Sequence, residues 1–119
     1  MIREKLLEEY ISLVNKYYPH ISYLLSGCYL TVVDSWAKRQ EKLYHYLAIY
    51  YSARTGKNIL SYQKELKELA ENLGLVEVVC LNATRIVRDP MSNLKKKNPR
   101  LWLELYWIAT NIEPQNRLD

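Results

Sequence analysis

YYPHISYLLSGCYLTVV, Tyr17 to Val33, contains no Asp, Glu, Lys or Arg, in a chain of which 25% is charged. A gap of that length marks a segment that folding withdraws from water. The stretches on either side are charged and amphipathic, so the segment reads as the buried centre that the rest packs around. It is slightly short for a membrane span and carries His20, Ser22, Ser26 and Gly27. The opening MIREKLLEEY is acidic and amphipathic, unlike a signal peptide. An intracellular, cytoplasmic protein is expected.

Working outward, Ile2 to Tyr18 predicts a first helix, with Ile2, Leu6, Tyr10, Leu13 and Tyr17 on one stripe. Pro19 closes it and suits the first turn of a second. Ile21, Leu24, Leu25, Cys28, Val32 and Trp36 then share a helical face, with Gly27 inside it. Leu43, Leu47 and Tyr50 continue that pattern to about Ala53, with a break or kink expected near Asp34. Gly56 is expected to end this run in the left-handed conformation, and Gly74 to end a further helix over 59–73. Leu75 to Arg88 carries Val76, Val79, Cys80, Ala83 and Val87 at helical spacing. A strand over Leu75–Leu81 competes, but the pattern extends past twelve residues and favours helix. Asp89 to Pro99 reads as a loop, and Arg100 to Ile112 as a last helix, apolar on nearly every side.

With 3 Gly and 4 Pro in 119 residues, long helices joined by short turns fit better than many hairpins. The fold class expected is all-α: a single-domain bundle of five to six helices over residues 1–114, followed by a frayed tail over 115–119. The two cysteines, Cys28 and Cys80, read as small buried hydrophobes, too few for a disulfide framework or a thiolate metal site. No metal or other cofactor is expected.

The charges are unevenly placed. Arg85, Arg88, Lys95, Lys96, Lys97 and Arg100 face only Asp89 in their segment, and Lys38, Arg39, Lys42, Arg54 and Lys57 face only Glu41 in theirs. The net charge is +4, so the remainder is acidic. Two basic segments meeting on one face would make the electrostatic footprint of a phosphate binder. Tyr44, Tyr46, Tyr50 and Tyr51 would offer rings on which bases stack. The bland alternative is solvated helix ends, since basic residues near helix C-termini suit the dipole.

Arg39 precedes His45 with five residues between them, R-x5-H. Here the chain resembles the HEPN family of small helical bundles, whose ribonuclease members use an R-x4–6-H motif at a dimer cleft. The resemblance implies a ribonuclease in which His45 acts as base and Arg39 steadies the phosphate. It departs from the family in placement. The family motif lies late in the chain, before the last helix, where this sequence reads Arg85-Ile86-Val87-Arg88-Asp89-Pro90 without histidine. It covers one motif and an all-helical outline, and it is not adopted as the reading.

Other chemistry is weaker. Arg54-Thr55-Gly56-Lys57 has the glycine and lysine of a phosphate loop without its spacing. No paired carboxylates stand out, and no Ser or Cys lies in a pattern that supplies a base and an orienting acid. The function expected is a small non-catalytic binding or assembly protein with a basic face toward nucleic acid. The other class is a protein-only oligomeric module, a homo-oligomer or a subunit of a larger complex, since the last helix has more apolar surface than a small bundle needs.

Overall fold

The computed structural model describes residues 2–37 and 41–110, and the expected frayed tail over 115–119 lies outside them. Helix α1 (Ile2–Tyr17) and helix α2 (Pro19–Leu25) lead into an antiparallel pair, β1 (Tyr29–Ala37) and β2 (Lys42–Tyr51). Helices α3 (Gly56–Leu60) and α4 (Gln63–Asn72) then cross over to β3 (Val78–Asn82), which runs parallel to β2. Helices α5 (Ala83–Arg88), α6 (Leu94–Lys97) and α7 (Pro99–Thr110) follow. The sheet order is β1-β2-β3, so β2 is central and β1 and β3 are edges.

The expected all-α bundle is therefore corrected to a mixed α/β fold. The helix expected from Pro19 to Ala53 is seven residues of helix followed by a β-hairpin. Tyr29–Ala37 and Lys42–Tyr51 are rich in β-branched and aromatic residues, which suit a pleated surface. Gly27 lies beyond α2, not within a helix. The helix expected over Leu75–Arg88 is a strand, a cap and a short helix: the Asn82 side chain accepts from Arg85 N at 3.0 Å and starts α5. Asp89–Pro99 holds the single helical turn α6. Pro19 does open α2, and Gly74, at φ +81°, does close α4.

Alternation along β2 shares its side chains between two cores. Leu47, Ile49 and Tyr51 join Leu30, Val32, Val78 and Cys80 beneath α1–α4. Tyr50, with Tyr29 across the strand pair, joins Ala83, Leu105 and Ile108 beneath α5–α7. Three layers result, with the sheet in the middle. The uncharged stretch is only partly central. Ile21, Leu25 and Val32 are buried, but Tyr17 and Tyr23 are more than half exposed. The consecutive run Leu47, Ala48 and Ile49, none more than 1% exposed, is the true centre. Helix α7 is not central either: Leu105 and Ile108 are buried, while Leu103 and Trp107 stay about 60% exposed.

Two polar details fix the first layer. Tyr10, fully buried on α1, donates its hydroxyl to Leu66 O on α4 at 2.9 Å. Gly56 does not take the expected left-handed conformation. It opens α3 against Tyr51, whose ring would lie 2.6 Å from an added Cβ.

Gly56→Ala is expected to lower stability by about 1–3 kcal/mol in urea titrations, and to couple with substitution of Tyr51 in a double-mutant cycle. Tyr10→Phe is expected to cost about 1 kcal/mol at neutral pH. Burial also holds the Tyr10 phenol well above its ordinary pKa near 10.0. Above pH 10 the unfolded chain therefore loses a proton that the folded chain keeps. Stability declines with rising pH until the folded phenol itself ionises. Tyr10→Phe should flatten that decline, leaving the smaller share of Cys80 and Tyr50, both also raised by burial.

Candidate nucleic-acid interface

Strands β2 and β3 are parallel and end side by side, Tyr51 opposite Asn82. Both of the next segments leave from that end, and both are basic. After β2 the chain turns through Ser52-Ala53-Arg54-Thr55, where Ser52 and Thr55 are buried and their hydroxyls lie 3.4 Å apart. After β3 it enters α5. A hydrogen bond ties the two departures: Ala53 N donates to the buried Thr84 hydroxyl at 3.0 Å. Arg54 and Arg85 each stand one residue beyond a partner of that bond. Residues 54 to 57 and 85 to 88 thus lie at one end of the sheet, although about thirty positions separate them in sequence. Arg85 and Arg88 line an open groove of about 590 Å³ with Asn82, Thr84 and Asp89.

Arg54, Lys57, Arg85 and Arg88 are all exposed, and among the described residues none of them enters an ion pair. Lys95, Lys96 and Lys97 are exposed on α6, and Arg100 on the first turn of α7. Leu94 of α6 packs in the same core cluster as Ile86 and Val87 of α5, so these cations belong to one helical layer. Over residues 83–110 six basic side chains face two acidic ones. The helices of the opposite layer, residues 2–25 and 56–72, hold six of each. The sheet thus separates a neutral helical layer from a positive one.

Lys42 does not join this group. It opens β2, and nine steps of extended chain place it about 30 Å from the Tyr51 end. Its ammonium sits 5.6 Å from the centre of the Tyr44 ring. Lys38 and Arg39 lie outside the described residues. The first basic segment is therefore split, with Arg54 and Lys57 meeting the second segment and Lys42 at the hairpin end. The tyrosines divide as well: Tyr51 packs into the first core, and Tyr50 lies against Tyr29 with ring centres 6.1 Å apart.

The R-x5-H reading loses its setting. His45 is on a strand, the fold is not a helical bundle, and Arg39 is not described. The partner of His45 is instead Asp34, directly across the strand pair, with Nδ1 2.8 Å from Oδ1. Arg3 of α1 approaches the other Asp34 oxygen at 3.9 Å. Sequence reasoning missed this group because its members become neighbours only through strand register and helix packing. No set of three His, Cys, Asp or Glu side chains among the described residues is placed to hold a metal ion. Among those residues no helix is long and apolar enough to cross a membrane.

On α7, Trp102 stacks on Tyr106 with centroids 5.1 Å apart, and Lys95 sits 4.8 Å over the Trp102 ring. Cation, indole and phenol form one column on the positive layer. No protein-family model matches the chain, and no curated protein or solved structure matches it significantly.

Thr84→Val keeps the volume of the side chain and removes the acceptor for Ala53 N. A loss of about 1–2 kcal/mol in chemical denaturation is expected, whereas Thr110→Val, at an exposed hydroxyl bonded within its own helix, should change stability by less than about 0.5 kcal/mol.

Proposed function

We propose that this protein is a non-catalytic nucleic-acid-binding module that grips the phosphate backbone through its positive layer together with Arg54 and Lys57 of the adjoining β2–α3 turn. Arg54, Lys57, Arg85 and Arg88 at the carboxyl ends of β2 and β3 form the anchor. Lys95, Lys96, Lys97 and Arg100 extend it over α6 and α7. The observation that carries this reading is the Ala53–Thr84 hydrogen bond, which joins two basic segments distant in the chain. The end of a sheet where parallel strands finish is also the usual seat of ligands in open α/β folds. Exposed cations that enter no ion pair among the described residues can displace counterions from phosphates, so the attraction is set by charge and weakened by salt.

A second reading, a protein-only oligomeric module, draws on one feature: Leu103, Tyr106 and Trp107 are exposed together on α7. Light scattering separates the two, because an assembly module gives oligomers whose formation is indifferent to nucleic acid.

The chain should be retained on heparin and on single-stranded DNA, with affinity falling steeply as salt rises. Arg85→Glu with Arg88→Glu is expected to weaken binding at least about tenfold and to reduce the salt slope by about one per lost phosphate contact. Lys42→Glu, at the far end of the sheet, should leave both nearly unchanged. Equal binding by the double variant and the parent protein would reject the proposal.

A further inference from the structure

A second concavity lies against the sheet, away from the groove of Arg85 and Arg88. It measures about 420 Å³ and is bounded by β1, β2 and the start of α7. Two guanidinium groups from opposite ends of the chain line it: Arg3 of α1 and Arg100 of α7. Tyr29, Tyr46 and Tyr50 line the sheet side, and Asn98 lies at the helix start. None of the lining side chains is acidic. Arg3 Nε lies 3.9 Å from an oxygen of Asp34, which does not line the cleft.

Each part of this lining suits a different part of one ligand. Two guanidinium groups on separate elements recognise a phosphate through charge-assisted hydrogen bonds. The first turn of α7 adds the positive end of a twelve-residue helix, capped by Asn98, whose side chain accepts from Leu101 N at 3.2 Å. Tyr46 is half-buried, and among the described residues no ring packs against it. Tyr50, by contrast, already has Tyr29. Tyr46 lines the cleft without a ring partner among the described residues, so it is the phenol on which a planar ring would stack. The volume falls within the range of small-ligand sites and is too small to enclose a duplex.

We infer that this cleft binds a nucleoside phosphate, with the phosphate between Arg3 and Arg100 and the base against Tyr46. The ligand is either a free nucleotide or one nucleotide of a single strand; the chemistry recognised is the same. The inference shares Arg100 with the extension of the proposed positive layer, but it uses none of Arg54, Lys57, Arg85 or Arg88 and adds Arg3 and Tyr46, which that layer does not use. Burial, reinforced by Tyr46 and Tyr29, raises the pKa of the Tyr50 hydroxyl and keeps it a donor.

The test is equilibrium dialysis of the full chain against adenosine 5′-phosphate, adenosine, inorganic phosphate and a short single strand of deoxyadenosine. The nucleotide should bind at least about tenfold more tightly than nucleoside or phosphate alone, since only it meets both walls. Arg100→Gln and Tyr46→Leu should each weaken it about tenfold or more, and Arg85→Glu with Arg88→Glu should not. Arg100 is exposed, so Arg100→Gln keeps the fold and decides the matter even where Tyr46→Leu does not fold. A strand that binds more tightly than the free nucleotide, with the same sensitivity to Arg3→Gln, a cleft residue outside the positive layer, identifies the in-strand source. Equal affinities identify the free nucleotide. Equal binding of nucleotide, nucleoside and phosphate, or an Arg100→Gln protein that binds like the parent, overturns the inference. If the double glutamate variant loses strand binding while the nucleotide still binds, the two sites are separate. If it keeps strand binding while Arg100→Gln loses nucleotide binding, only the anchor is rejected.

Discussion

Strand β2 gives up both of its faces to apolar neighbours. Leu47 and Ile49 enter one core and Tyr50 the other, with Ala48 buried between them, and the two edge strands are hydrogen-bonded along its sides. Each of the larger side chains contributes about 2 kcal/mol or more by leaving water. A strand buried on both faces needs helices above and below, and the chain supplies four before β3 and three after it.

With the sheet covered on both sides, the two helical layers are free to differ in charge. The first balances its acids and bases along α1 and α4, as expected of solvated helices. The second is shorter in helix and richer in turns, and it concentrates cations on α5, α6 and the start of α7. Segregation of this kind does little for stability, because exposed like charges repel weakly across water. It shapes the field around the molecule, which acts on partners at a distance of about a Debye length, near 8–10 Å in ordinary buffers.

Part of this was legible in the sequence. The first helix, the proline that opens α2, the glycine that closes α4 and the apolar last helix follow from periodicity and from the backbone limits of Pro and Gly. The hairpin was not, for a physical reason. A strand covered on both faces loses the alternation that reveals strands. Ala48 between Leu47 and Ile49 turns a two-residue period into a continuous apolar run, which helical spacing then matches by coincidence. Val78–Asn82 failed similarly, because α5 begins at the next residue and the two elements read as one pattern. The basic residues were visible as composition, but their meeting at the carboxyl ends depends on a parallel pairing that local sequence does not encode. Arg3 went unremarked because it is one of three cations in a charge-balanced helix, and only packing brings it into the lining of the same cleft as Arg100.

The bond from Ala53 to Thr84 has one more consequence. It closes a loop of about thirty residues, the whole crossover through α3 and α4. Such a closure is costly in chain entropy and comes late relative to the local turns. Until it forms, the cations on either side of it diffuse as separate weak charges. The gathering of Arg54 and Lys57 beside Arg85 and Arg88 is therefore an emergent property of topology, complete only when the crossover has closed.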